Sequence, residues 1–139
     1  MLDHLGFKVV DYKTARVFYD RVLASIGVVP LMDVTAEQSG SVAFCGYGRP
    51  APAAPGGGPR AHFWLAQGDG MDKPNLGLHV AFSAQSRAQV DAFYETALAA
   101  GAKDNGAPGL RPHYHPNYYG AFVIDADGHN IEAVHHGAE

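Results

Sequence analysis

The chain repeats itself, and that limits its folds more than any other feature. At an offset of 75 positions, Leu2-Asp3-His4-Leu5-Gly6-Phe7 matches Gly77-Leu78-His79-Val80-Ala81-Phe82. Val17-Phe18-Tyr19-Asp20 likewise matches Ala92-Phe93-Tyr94-Glu95, Leu23-Ala24 matches Leu98-Ala99, and Gly27 falls within one residue of Gly101. Self-similarity at a fixed spacing means that one supersecondary unit is built more than once. Two copies are too few for a solenoid, so a duplicated module sharing one domain of 139 residues is expected. Module one is expected over about 1–68 and module two over about 76–139, with 69–75 as linker.

Each copy has the pattern βαβββ. A strand opens it near 2–10 and again near 76–84. In the second helix Val90, Phe93, Tyr94, Ala97 and Leu98 recur at helical spacing, and Ser86 with Gln89 has the form of a capping box. In the first helix Ala15, Phe18, Tyr19, Val22 and Ile26 form the corresponding stripe, with Asp11 as cap. Gly27 and Gly101 are expected to stop the two helices. Further strands are expected near 28–34, 41–47 and 61–67, then near 102–105, 118–125 and 130–136. Residues 48–60 are too rich in Gly and Pro for a helix or central strand, and residues 106–117 are expected to form a second loop.

Composition excludes several function classes. The net charge is −4, and no Lys/Arg cluster offers a nucleic-acid surface. No apolar run approaches the length of a membrane span. No charged leader with an apolar core precedes the first strand, and Cys45 is the only cysteine. Both features fit a cytoplasmic protein, and Cys45 is expected to be buried and inert.

Side chains alternate across a strand, so each opening strand has two faces. Leu5, Phe7 and Val9 share one face, and His4, Gly6 and Lys8 the other. In the repeat, Leu78, Val80 and Phe82 oppose Gly77, His79 and Ala81. The apolar faces belong under the helices. The other faces pair a histidine with a small residue, which leaves space suited to a ligand. In the last strand Glu132 sits among Ile131, Ala133 and Val134, where an unpaired carboxylate is costly to bury. Glu132, Val134 and His136 face one way. His129, in the turn Asp125-Ala126-Asp127-Gly128-His129, is expected to be solvated.

These segments together resemble the vicinal-oxygen-chelate superfamily of glyoxalases, bleomycin-resistance proteins and extradiol dioxygenases. The resemblance rests on Asp3-His4-Leu5-Gly6-Phe7-Lys8-Val9, Ala15-Arg16-Val17-Phe18-Tyr19, Gly77-Leu78-His79-Val80-Ala81-Phe82 and Asp125-Ala126-Asp127-Gly128-His129-Asn130-Ile131-Glu132. It implies an α+β fold of two tandem βαβββ modules forming a curled mixed sheet around a central cleft. It also implies one divalent metal ion, with His4, His79 and Glu132 as ligands from the first and last strands. Glyoxalase I-like members carry a fourth, carboxylate ligand at the position occupied here by Trp64. This departure counts against glyoxalase I activity. His62, two residues from Trp64, shares its face.

Two imidazoles and a carboxylate suit Fe, Mn, Ni, Co or Zn without choosing among them. The expected function is chelation of adjacent oxygens of a small substrate. Either proton-transfer chemistry of the lyase or isomerase type or oxygen-dependent ring cleavage would follow. Glu132, His115, His113 and Tyr118 are the catalytic candidates, because the run Arg111–Gly120 concentrates titratable side chains beside a core strand. Arg111, Trp64, Tyr119 and His62 are the substrate-binding candidates. The competing expectation is a metal-free small-molecule binder of the bleomycin-resistance type. A homodimer is a further expectation from the resemblance.

Overall fold

In the computed structural model, residues 2–50, 59–68, 70 and 77–138 are described. The chain divides into two compact units, one of residues 1–20 and 27–74, the other of residues 21–26 and 75–139. Most of the expected linker, and residues 51–58 of the first Gly/Pro-rich loop, lie outside the described residues.

The first unit has strand β1 (Leu5–Val9), helix α1 (Tyr12–Ala24) as far as Asp20, β2 (Val29–Val34), the short α2 (Ala36–Ser39), β3 (Phe44–Gly48) and β4 (Phe63–Gln67). The second has β5 (His79–Ser83), α3 (Arg87–Ala99), β6 (Lys103–Leu110), β7 (Tyr119–Ile124) and β8 (Asn130–His135). Each unit carries one four-stranded mixed sheet, in the order β1-β4-β3-β2 and β5-β8-β7-β6. In both, the first strand runs parallel to the last, and the other neighbours are antiparallel. The fold is α+β, with no closed barrel among the described residues.

The first sheet packs its apolar face with Tyr19 of α1. Phe63 is the hub, with ring centroids 5.2 Å from Phe7, 5.5 Å from Tyr19 and 5.6 Å from Tyr47. Cys45 and Leu65 are fully buried on this face. Burial pushes the Cys45 thiol up to about 12, so it stays protonated and inert. Arg16 joins helix to sheet: it pairs with Asp20 at 3.2 Å and with Asp33, and lies 5.7 Å from the centre of the Tyr47 ring. The Tyr47 hydroxyl donates to Asp20 at 2.7 Å, which gives a buried phenol its partner.

Asp11 caps α1 through its carboxylate, which accepts from the Thr14 backbone N–H at 3.1 Å and hydroxyl at 2.6 Å. Ser86 caps α3 by accepting from Gln89 N at 3.2 Å, whereas the Gln89 side chain accepts from Gln85 N at 2.8 Å. The full reciprocal box occurs instead at Thr35 and Gln38, heading α2. Val90, Phe93 and Ala97 are buried on α3, whereas Leu98, expected on the same stripe, is exposed.

Strand β6 runs to Leu110, well beyond the expected end and into the Gly-rich stretch expected to be a loop. Gly106, with φ 149°, lies at both register shifts of its pairing with β7, so the ladder continues across an irregularity. No helix among the described residues is long and apolar enough to cross a membrane.

Candidate functional site

Register determines what the open face of the second sheet carries. Ala81 pairs with Glu132, Glu132 with Phe122, and His79 with Asn130. Partners across a ladder share a face, so His79, Ala81, Phe122 and Glu132 lie together. The intervening Val80, Ile131 and Ala121 are buried on the other face. Tyr119 also lies there: its hydroxyl donates to Asp91 of α3 at 2.8 Å, and Arg87 of α3 lies 5.2 Å from its ring centre. Tyr119 therefore faces the helix rather than the candidate site.

Glu132 is the centre of the open face. Its side chain is 1% exposed, and both oxygens are engaged. Oε2 lies 3.0 Å from His79 Nε2, and Oε1 accepts from the Tyr118 hydroxyl at 2.5 Å. A carboxylate this buried carries a large desolvation cost, which two charge-assisted contacts offset. Burial and the hydrogen bond to Glu132 push the Tyr118 phenol above its ordinary value, so it remains a donor. Gly120 makes the arrangement possible: a methyl group there would lie 2.9 Å from Glu132 Oε1 and 3.0 Å from Tyr118 Cε1.

The 111–119 run folds back on itself beside this group. Arg111 N donates to Tyr118 O at 2.7 Å, and Tyr118 N to His115 O at 2.9 Å. The Arg111 guanidinium donates to Ala107 O at 2.7 Å and lies 5.7 Å from the ring centre of Phe122, which itself stacks on His79 at 6.2 Å. His136 meets the Tyr118 ring edge-on at 5.0 Å and His115 at 6.1 Å. His113 packs on Tyr114 at 4.2 Å, which touches Tyr118 at 5.1 Å. Tyr118 is thus in direct contact with Glu132, Arg111 is linked through Phe122, and the two loop histidines stand one or two rings further out.

The first sheet carries the corresponding face. Trp64 pairs with Gly6 on β1 and Gly46 on β3, as Glu132 pairs with Ala81 and Phe122. The repeat therefore holds in three dimensions, with an indole where the second copy has a carboxylate. Trp64 lies across both glycines: a methyl at Gly46 would come 2.7 Å from its ring, and one at Gly6 would come 3.0 Å from its Cβ. Phe44 meets its edge at 5.8 Å. His4 and His62 are exposed, and both are tied to Asp3. His4 Nδ1 lies 2.9 Å from Asp3 Oδ1, and His62 Nδ1 2.9 Å from Asp3 O. Donation from Nδ1 leaves Nε2 of each ring as the lone-pair atom. The hydrogen bond with His4 holds the Asp3 carboxyl below its ordinary value.

His79 and Glu132 fit one edge of a metal site. Two ligands at ~2.1 Å from an octahedral ion, at right angles, stand about 3 Å apart. The donor atoms here are 3.0 Å apart. Among the described residues no three His, Cys, Asp or Glu side chains form a ready-made metal cluster. The His79–Glu132 pair belongs to the second unit and His4 to the first.

Sequence reasoning missed the roles of Phe122, Gly120 and the Asp125–His129 pair. His129, expected to be solvated, is 0% exposed, with Nδ1 2.8 Å from Asp125 Oδ2. Asp125 Oδ1 also accepts from the backbone of Asp127 at 3.0 Å and of His129 at 2.8 Å. This buried clamp closes the turn that leads into the Glu132 strand. A turn motif gives no sign of its own burial; the sequence shows that Gly120 and Phe122 share a face of their strand, and the register with β8 puts that face beside Glu132.

The comparisons agree with this architecture. A family model described as "Glyoxalase/Bleomycin resistance protein/Dioxygenase superfamily" matches residues 1–133. A glyoxalase/bleomycin resistance protein from Albidiferax ferrireducens is similar at 26% identity and a TM-score of 0.70, covering 96% of this chain and 97% of that one. A glyoxalase I mutant from Zea mays gives a TM-score of 0.69 at 20% identity, over 99% of this chain and 45% of that one. A fosfomycin resistance protein from Listeria monocytogenes, solved with Mn(II) and a dihydroxypropylphosphonic acid, gives 0.61 at 17% identity over 99% and 90%. The maize and Listeria likenesses show the fold alone. No curated protein matches the chain. With nearly its whole length matched, the chain belongs to the Glyoxalase/Bleomycin resistance protein/Dioxygenase superfamily.

Proposed function

We propose that the chain is a divalent-metal-dependent enzyme acting on a small substrate with adjacent oxygens, and that His4, His79 and Glu132 hold the metal. The observation that carries this reading is the nearly inaccessible Glu132 carboxylate, with one oxygen 3.0 Å from His79 Nε2 on the sheet face away from α3. A buried carboxylate next to an imidazole is expensive as a structural element and economical as a ligand pair. The Mn(II) in the Listeria protein supports the same reading by analogy of fold.

A bound divalent ion supplies Lewis acidity toward a chelated substrate. The chain's own residues do the rest. Arg111, its guanidinium anchored on Ala107 O at 2.7 Å and stacked on Phe122, is placed to hold an anionic group of the substrate. His115, against the His136 ring, and His113, against the Tyr114 ring, are the proton-transfer groups. The chemistry is of the lyase or isomerase type or oxygen-dependent ring cleavage. Oxygen uptake with catechols, against anaerobic turnover of hemithioacetals, separates the two. The reading places the enzyme in the cytoplasm, on the ground of its single buried cysteine.

Elemental analysis of protein purified without chelator tests the metal. One equivalent per chain is expected, with loss in His79→Ala and in Glu132→Gln while both stay folded. Metal-free protein after reconstitution with each candidate ion would sink the reading. The second reading, metal-free binding of a small molecule, is favoured by Trp64, a half-buried indole lying across Gly6 and Gly46. Trp64 is the sole tryptophan, so saturable quenching of its fluorescence by a planar ligand in the presence of EDTA would report that mode directly.

A further inference from the structure

We propose that Tyr118 is a positioning residue that makes Glu132 a one-oxygen ligand. The inference rests on the metal reading above and adds a role for a side chain that touches the ligand rather than the ion. The Tyr118 hydroxyl donates to Oε1 at 2.5 Å, while Oε2 lies 3.0 Å from His79 Nε2. One oxygen is committed to the phenol, and the other faces the half-exposed imidazole. The carboxylate, itself 1% exposed, cannot turn both oxygens the same way without breaking that hydrogen bond.

The surrounding chain holds this geometry. Gly120 contributes no side chain where a methyl would lie 2.9 Å from Oε1. The Tyr118 ring is fixed by edge contacts with Tyr114 at 5.1 Å and His136 at 5.0 Å. Its backbone is tied on both sides, N to His115 O at 2.9 Å and O to Arg111 N at 2.7 Å. The consequence is chemical. A carboxylate restricted to one oxygen occupies one coordination position and leaves the remainder for substrate. A carboxylate free to turn binds through two oxygens and favours larger, oxygen-seeking ions such as calcium.

The test uses the full chain, wild type and Tyr118→Phe, titrated with Ni²⁺ and Mn²⁺ against a chromophoric chelator. Partners that orient a ligand typically carry a ~10–100-fold share of metal affinity. A loss of about that size is expected in Tyr118→Phe, with the metal-free variant retaining its circular dichroism, and with an altered Mn²⁺ paramagnetic resonance line shape. Equal affinity in the two proteins would overturn this inference and leave the metal reading standing. A wild-type chain that takes up no metal would overturn both. If Tyr118→Phe does not fold, ultraviolet resonance Raman spectra of the wild type decide the matter. A strongly donating tyrosine retained on metal loading supports the role, and its disappearance refutes it.

Discussion

Gly120→Ala is the sharpest test of how the Glu132 group is packed. Gly120 is not among the glycines with positive φ, so its backbone accepts alanine and the cost is steric. The new methyl would lie 2.9 Å from Glu132 Oε1 and 3.0 Å from Tyr118 Cε1, against carbon contacts that settle near ~3.5–4.0 Å. Neither neighbour can give way freely. Glu132 is enclosed, and Tyr118 is held at both its hydroxyl and its ring. Overpacking of this kind costs about 1–3 kcal/mol. Separating Tyr118 from Oε1 adds about 1.5–3 kcal/mol, the range for a hydrogen bond to a charged group. The stiffer unfolded chain returns about 0.4–1 kcal/mol. The net loss is about 1.5–5.5 kcal/mol, read as a fall in urea midpoint at unchanged slope. A variant within about 0.5 kcal/mol of wild type would refute the reasoning, because the methyl would then have found room that the packing denies it.

Three further outcomes follow from the first unit. Tyr47→Phe removes the phenol that donates to Asp20 at 2.7 Å, and a loss of about 1–2 kcal/mol in chemical unfolding is expected; no loss would mean that Asp20 is satisfied by Arg16 alone. For Cys45, burial pushes the folded thiol up to about 12 from its ordinary value of 9.0. A raised folded value stabilises the native state below the ordinary value, and this contribution is lost as pH rises toward the folded one. Stability should therefore decline from pH 9 upward, less steeply in Cys45→Ala. In native protein at pH 8 the thiol should resist a disulfide reagent and react on unfolding; rapid reaction of folded protein would contradict its burial.

The two copies of the module have diverged at one register position. Glu132 and Trp64 occupy equivalent places between the first and third strands of their sheets. Their surroundings have changed to suit. The indole has glycine on both neighbouring strands, whereas the carboxylate has Ala81, Phe122 and a tyrosine donor. A flat ring needs clearance across the sheet, and a buried charge needs partners.

The sequence by itself determined the duplicated α+β plan and the strand parity. These depend on periodicity and spacing, which are local and survive in one dimension. His79 and Glu132 were legible because both stand on strands whose alternation assigns their faces. Tertiary structure decided what parity cannot. Tyr118 and Tyr119 are adjacent and chemically alike, yet one reaches Glu132 and the other Asp91 under α3. Consecutive residues on an extended segment point to opposite sides, and only the packing of α3 says which side is the helix. The extension of β6 through Gly106 required a partner strand whose ladder tolerates irregular register. The burial of His129 required the Asp125 carboxylate to fold over it. In each case the deciding contact lies on another element or is set by the burial of the whole, and its energy does not exist until the elements meet.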